Sequence, residues 1–156
     1  MAIKINSENL NKKRKIDLSK VERVAKTVLK ALKKKHAEIN IVFLSSQKIR
    51  VINRLYLKRD RATDVIAFPG SGRHIPSFGE EHHSGNFMGD IAICSDKAHA
   101  NAKVYGMTFA EEIALYTIHG ILHLLGYEDV TKKGRDRLRR KEDELFRQIK
   151  TKKISR

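Results

Sequence analysis

Apolar positions along this chain switch between a period near two and a period near 3.6, and each switch marks a predicted element. Ile3 and Ile5 alternate with polar neighbours and predict a short first strand. Ser19 and Glu22 have the spacing of a capping box. Behind them Val21, Val24, Ala25, Val28, Leu29 and Leu32 follow a helical period, with Lys20, Arg23, Lys26, Lys30 and Lys33 largely outside the apolar stripe. Ile39 to Leu44, rich in branched and aromatic residues, predicts a strand. Ser46 to Tyr56 carries Ile49, Ile52 and Leu55 at helical spacing, and Asp64 to Phe68 predicts a strand stopped by Pro69 and Gly70.

Residues 70–86 are rich in Gly, Ser and His and have no usable period, as in a long functional or disordered loop. Gly89 to Cys94 predicts a strand, and Ser95 to Tyr105 a helix ended by Gly106. Thr108 and Glu111 form a second capping box, opening a helix that runs to about Leu125, where Gly126 is a natural stop. From Thr131 onward Leu138, Leu145, Phe146 and Ile149 predict a last helix before a basic tail from about residue 150. With no internal repeat and no linker, residues 1–156 are expected to form one α+β domain. Its expected core is a small mixed sheet of about four strands, packed with about five helices.

Composition refines this picture. At 40% apolar and 33% charged residues, the chain can bury a core and keep a solvated surface. No apolar run approaches the roughly 20 residues needed to cross a bilayer, and the N-terminus lacks the apolar core of a signal peptide. Cys94 is the only cysteine, which excludes an internal disulfide and suits a buried strand position. A cytoplasmic, non-membrane protein is expected. The net charge of +15 is unevenly spread: residues 1–40 and 131–156 carry +8 each, whereas 41–130 carry −1 and six of the seven histidines. Two basic ends around a neutral body suit a polyanionic partner, because neutralising phosphates releases condensed counterions. Lysines that only solvate the surface are the plainer reading.

Candidate chemistry lies between His119 and Asp129. His119 and His123 are four apart on the predicted helix, so both imidazoles project from one face. Gly126 would turn the chain back and let Asp129 approach the same point. Two nitrogens and one carboxylate oxygen leave a coordination position open, as catalytic zinc sites require. A single histidine on an apolar helix is ordinarily a core residue; the pair, the glycine and the carboxylate together favour a divalent metal. Peptidases of the H-E-x-x-H type place their general base directly after the first histidine, where this chain has Gly120. His74, His82 and His83 could line a substrate groove, although solvated loop histidines are commoner. Asp90 is a candidate for steering a strand end, for substrate contact or for a turn, and Thr63 and Asp64 for holding the loop near the metal or for capping and turn formation.

The run from His119 to Asp129 resembles the YbeY family motif H-G-x-L-H-L-x-G-Y-D-H. Agreeing stretches stand in the same order at 53–56 (NRLY), 63–69 (TDVIAFP) and 89–94 (GDIAIC). The resemblance implies a single-strand-specific endoribonuclease with His119 and His123 as catalytic residues and zinc held by His119, His123 and Asp129. It further implies 16S rRNA 3′-end maturation and ribosome quality control, with the small ribosomal subunit and an Era-type GTPase as partners. The chain departs from the family where Asp129 replaces the third histidine, Leu57 replaces an arginine, and Ala62 and Ala67 replace proline and serine. The extra negative charge of Asp129 should make the metal a weaker Lewis acid; the neighbouring Glu128 is an alternative ligand. Lys58 or Arg59 could supply the cation missing at Leu57, and with Lys26, Lys30 and Lys33 they form the candidate RNA-binding set. Two rival functions remain. One is a non-catalytic rRNA or ribosome-assembly binding protein with a structural zinc. The other is a small metallopeptidase, favoured by the 119/123/129 spacing and opposed by Gly120 and the basic charge.

Overall fold

A computed structural model of the chain describes residues 2–70 and 86–151. In chain order the elements are β1 (Ala2–Asn9), α1 (Leu18–Ala31), β2 (His36–Leu44), α2 (Ser46–Leu57), β3 (Val65–Pro69), β4 (Phe87–Cys94), α3 (Ser95–Tyr105), α4 (Phe109–Leu124) and α5 (Lys132–Thr151). The strands form one sheet in the order β1-β2-β4-β3. β1, β2 and β4 are parallel neighbours, with Ile5 opposite Ile39 and Ile41 opposite Ile91. β3 runs antiparallel to β4 and sets Ala67 opposite Ile91. The mixed sheet with helices bears out the α+β reading. Parallel strands need a crossover, and α1 provides the one between β1 and β2.

Strand alternation sorts the core into two layers. Ile5, Ile39, Ile41, Phe43, Ile91 and Ile93 face a layer built from α1, α4 and α5. Val42, Leu44, Ile66, Phe68, Ala92 and Cys94 face the other way, onto Ile49, Ile52 and Tyr56 of α2. Cys94 is fully buried, as its strand position predicts. Beyond the α2 contact the second face turns polar. Asn6 donates to Glu38 and Asn40, and Asn40 donates at 2.9 Å to Asp90, which is buried. Asp90 is therefore a partner within the sheet.

Two expectations about ends need correction. The helix of residues 18–31 begins earlier than the Ser19–Glu22 pattern suggests: the carboxylate of Asp17 accepts from Lys20 N at 3.1 Å and caps it. Glu22 instead accepts from the Ser7 hydroxyl at 2.7 Å, tying α1 to β1. The first strand is also longer than Ile3 and Ile5 alone predict, because β1 pairs with β2 as far as Asn9. Elsewhere the end signals hold. Thr108 and Glu111 make the reciprocal capping box of α4, and Gly106 and Gly126 take left-handed φ values of 66° and 95° after α3 and α4. The last helix continues through Lys150 to Thr151, and the remainder of the basic tail lies outside the described residues.

α4 is the central helix, and its approach to the sheet is close. A Cβ added to Gly120 would stand 2.5 Å from Ile91 Cγ2, and Ile91 is fully buried. Gly120 is thus a packing position where any larger residue, the general-base glutamate of H-E-x-x-H peptidases included, would require Ile91 to move. Overpacking of this kind costs about 1–3 kcal/mol. Gly120→Ala is expected to lower the thermal unfolding midpoint measurably by circular dichroism, whereas an unchanged midpoint would show that Ile91 can give way.

Candidate metal centre

α4 presents His119 and His123 one turn apart toward β3. Their Nε2 atoms face each other at 2.8 Å. The helix ends just before Gly126, and the following loop returns Asp129, whose Oδ2 lies 3.8 Å from His123 Nε2. One ligand atom from each of the three residues falls within a 4.8 Å group, so the trio could hold a metal ion. Nitrogens about 2.0–2.1 Å from a tetrahedral ion stand about 3.3 Å apart, so the imidazoles would need to open by only about half an ångström. The donor set fits a divalent cation of intermediate softness.

Three nearby carboxylates have distinct tasks. Glu142, projecting from α5, bonds His119 Nδ1. Fixing Nδ1 in this way leaves Nε2 as the lone pair available to a cation. Glu128, the alternative ligand, is turned away. It accepts from Val130 N at 2.7 Å, Thr131 N at 3.1 Å and the Thr131 hydroxyl, bracing the loop into α5. That brace requires Gly134, because a Cβ there would overlap the Glu128 carboxylate. Arg135 donates to the carbonyls of Asp129 and Val130 at 3.3 and 2.9 Å, securing the loop from its other side. Asp129, half exposed, remains as the ligand candidate.

The charges split the imidazole pair. Burial lowers the His119 pKa, but the hydrogen bond to Glu142 and the charges of Glu142, Asp64 and Asp129 outweigh it and hold His119 above its usual value. His123 is pushed down by burial and by the charge of His119, against the opposing effects of Asp129, the Tyr127 backbone and Glu142. Two imidazoles this close cannot both ionise freely.

The trio opens into a cleft of about 310 Å³ lined also by Asn53, Leu57, Arg59, Arg61, Thr63, Asp64 and residues 65–67 of β3. Thr63 and Asp64 therefore reach the site and also shape its wall: Asp64 accepts from its neighbour Val65 N at 2.7 Å, and its carbonyl accepts from Cys94 N at 2.8 Å. Leu57 presents an aliphatic wall. Of the candidate RNA-binding set, Arg59 lines the cleft and Lys58 directly precedes it in a left-handed conformation at the end of α2. Lys26, Lys30 and Lys33 are exposed on and just after α1, which packs on β1, at the edge of the sheet opposite β3. The structure does not bring these three to the cleft. His74, His82 and His83 lie outside the described residues. The sequence marks Asn53 only as part of the 53–56 stretch, and it does not single out Glu142 or Arg61. Glu142 carried no usable signal, being one of many charges on a helix far along the chain.

Comparison with known proteins places this geometry in a family. Residues 6–150 match the family model described as Endoribonuclease YbeY. Relatives named Endoribonuclease YbeY include one from Aquifex aeolicus, 35% identical over 138 residues that cover 88% of this chain and 82% of the relative. Another, from Chlorobium luteolum, is 36% identical over 138 residues and covers 88% and 92%. A third, from Desulforamulus reducens, is 37% identical over 114 residues and covers 72% of each chain. The solution structure of TM1509 from Thermotoga maritima shares the fold, with a TM-score of 0.58, 23% identity and coverage of 99% and 96%.

Carboxylates that orient metal-bound histidines typically contribute about 10–100-fold in metal affinity. Glu142→Ala is therefore expected to weaken divalent-metal binding by that factor in a chelator competition titration. Glu128→Ala, which loosens only the loop, should cost less. Equal affinities for wild type and Glu142→Ala would remove Glu142 from the site.

Proposed function

The chain belongs to the YbeY endoribonuclease family, and on that premise we propose that it is a metal-dependent endoribonuclease cutting single-stranded RNA. The observation that carries the reading is the convergence of His119, His123 and Asp129 in a cleft that Arg59 and Arg61 also line. Zinc suits two imidazoles and a carboxylate, and when bound it supplies Lewis acidity toward a phosphoryl oxygen and an acidified water. His119 and His123 are the residues on which catalysis depends. Glu142 fixes the orientation of His119, and Asp129 moderates the charge of the site. Lys58 and Arg59 hold the strand at the cleft, and Lys26, Lys30 and Lys33 contact flanking phosphates on a more distant surface.

The natural substrate proposed is the 3′ end of 16S rRNA, in maturation and ribosome quality control, with the small ribosomal subunit and an Era-type GTPase as partners. The +15 charge supports such a polyanionic partner. Among the described residues no helix is long and apolar enough to cross a membrane. We place the activity in the cytoplasm, with the chain acting as one metalloenzyme domain.

Metal-free protein incubated with a single-stranded 16S 3′-end fragment should cut it as zinc is added, saturating near one zinc per chain, and His123→Ala should not cut. Salt-sensitive binding without cleavage would favour the rival reading, an rRNA-binding protein with a structural zinc.

A further inference from the structure

The turn after α2 places two arginines, Arg59 and Arg61, on the wall of the cleft. Asn53, a buried residue of α2, holds this turn: its carbonyl accepts from Lys58 N and, at 3.3 Å, from Arg59 N, and its side-chain amide donates to the Arg61 carbonyl at 2.8 Å. Lys58, at φ 61°, makes the sharp bend that directs the chain back toward β3. Asp60, the only acid within the turn, faces the other way, bonded to Arg50 at 2.9 Å and within 4.0 Å of Arg54. Arg59 and Arg61 have no ion pair among the described residues, although both line the cleft that holds His119, His123 and Asp129. The arginines of the region are thus divided: the two on α2 share Asp60, and those on the turn have no carboxylate partner among the described residues.

We propose that Arg59 and Arg61 form a two-pronged clamp for a phosphate of the RNA strand, next to the metal-binding trio. This rests on the metal-dependent RNA reading above and assigns the contact to particular groups. A guanidinium offers a planar fork of N–H donors that matches phosphate oxygens, which neither lysine nor an aliphatic side chain can do. Leu57 lines the same wall without a donor, so the cationic chemistry of the cleft falls to the turn. Arg61 is the new assignment. It also gives Asn53 a task, since an anchored turn holds two flexible side chains near one point and reduces the entropy lost on binding.

The test separates binding from cleavage. Binding of a short 2′-O-methyl single strand, which cannot be cut through its 2′ position, is followed by fluorescence anisotropy across a salt series. Cleavage of the matching RNA is followed with zinc present. Wild type is compared with Arg61→Ala, Arg61→Lys and the Arg59→Ala/Arg61→Ala double variant, with Lys97→Ala as a surface control. Thermal unfolding and zinc affinity should be unchanged in all of them. The double variant is expected to lose about tenfold or more in affinity and to flatten the salt dependence by about 0.7 in log–log slope, the change for one phosphate contact on a single strand. Arg61→Lys should keep most of the binding while kcat falls. If wild type cuts RNA and the double variant matches it in affinity, salt slope and kcat/KM, the clamp is overturned and the metal reading stands. If wild type binds through these arginines but cuts nothing with zinc, the clamp stands and the nuclease reading fails. If wild type does not bind RNA, both fail.

Discussion

How near α4 can come to the sheet determines where its side chains sit, and Gly120 against Ile91 sets that distance. A helix packed this tightly is held in azimuth as well as height, because the surrounding interior has no slack to let it rotate. Ile113, Ala114, Ile118, Ile121 and Leu122 fill the core side. The face turned to β3 is left for His119 and His123. Their mutual placement is therefore a product of core packing, and the polar groups around them refine a geometry already imposed.

What surrounds the pair is a division of labour among acids. Glu128, Asp129 and Glu142 are chemically near-equivalent, yet one braces a loop, one stands open beside the histidines and one orients an imidazole. Backbone geometry makes the distinction. Glu128 is drawn to the free N–H groups ahead of α5, and Gly134 leaves room for it. Asp129, one residue on, projects toward the histidines, and Glu142 arrives from the middle of α5. Removing any of them would leave a different defect.

Much of this is legible in the sequence, for identifiable reasons. The Thr108–Glu111 box, Gly106 and Gly126 are local signals whose chemistry is complete within a few residues, and each was read at its actual position. The His119–His123–Asp129 group was legible because it spans one helix turn and one loop. The Ser19–Glu22 spacing imitates a box and points away from Asp17, whereas Glu22 is engaged by Ser7, which only the β1–α1 packing reveals. Glu142 and Arg61 depend on contacts between separate elements, which no spacing rule encodes. The same holds for Asn53: the sequence pattern marked it as part of a motif, and only the folded turn shows that it fastens residues 59 and 61.

β3 pairs with β4 on one side only and forms one edge of the sheet among the described residues. A free strand edge invites another copy of the chain to add to it, and proteins that remain dispersed need some device to prevent this. Here the strand is 5 residues long and ends in Pro69, which has no N–H to offer a newcomer. Arg59 and Arg61 stand beside it, on a chain that already carries +15. An approaching copy would bring the same charges to the same place. The cations that make the cleft attractive to a polyanion thereby also discourage the sheet from growing into an aggregate.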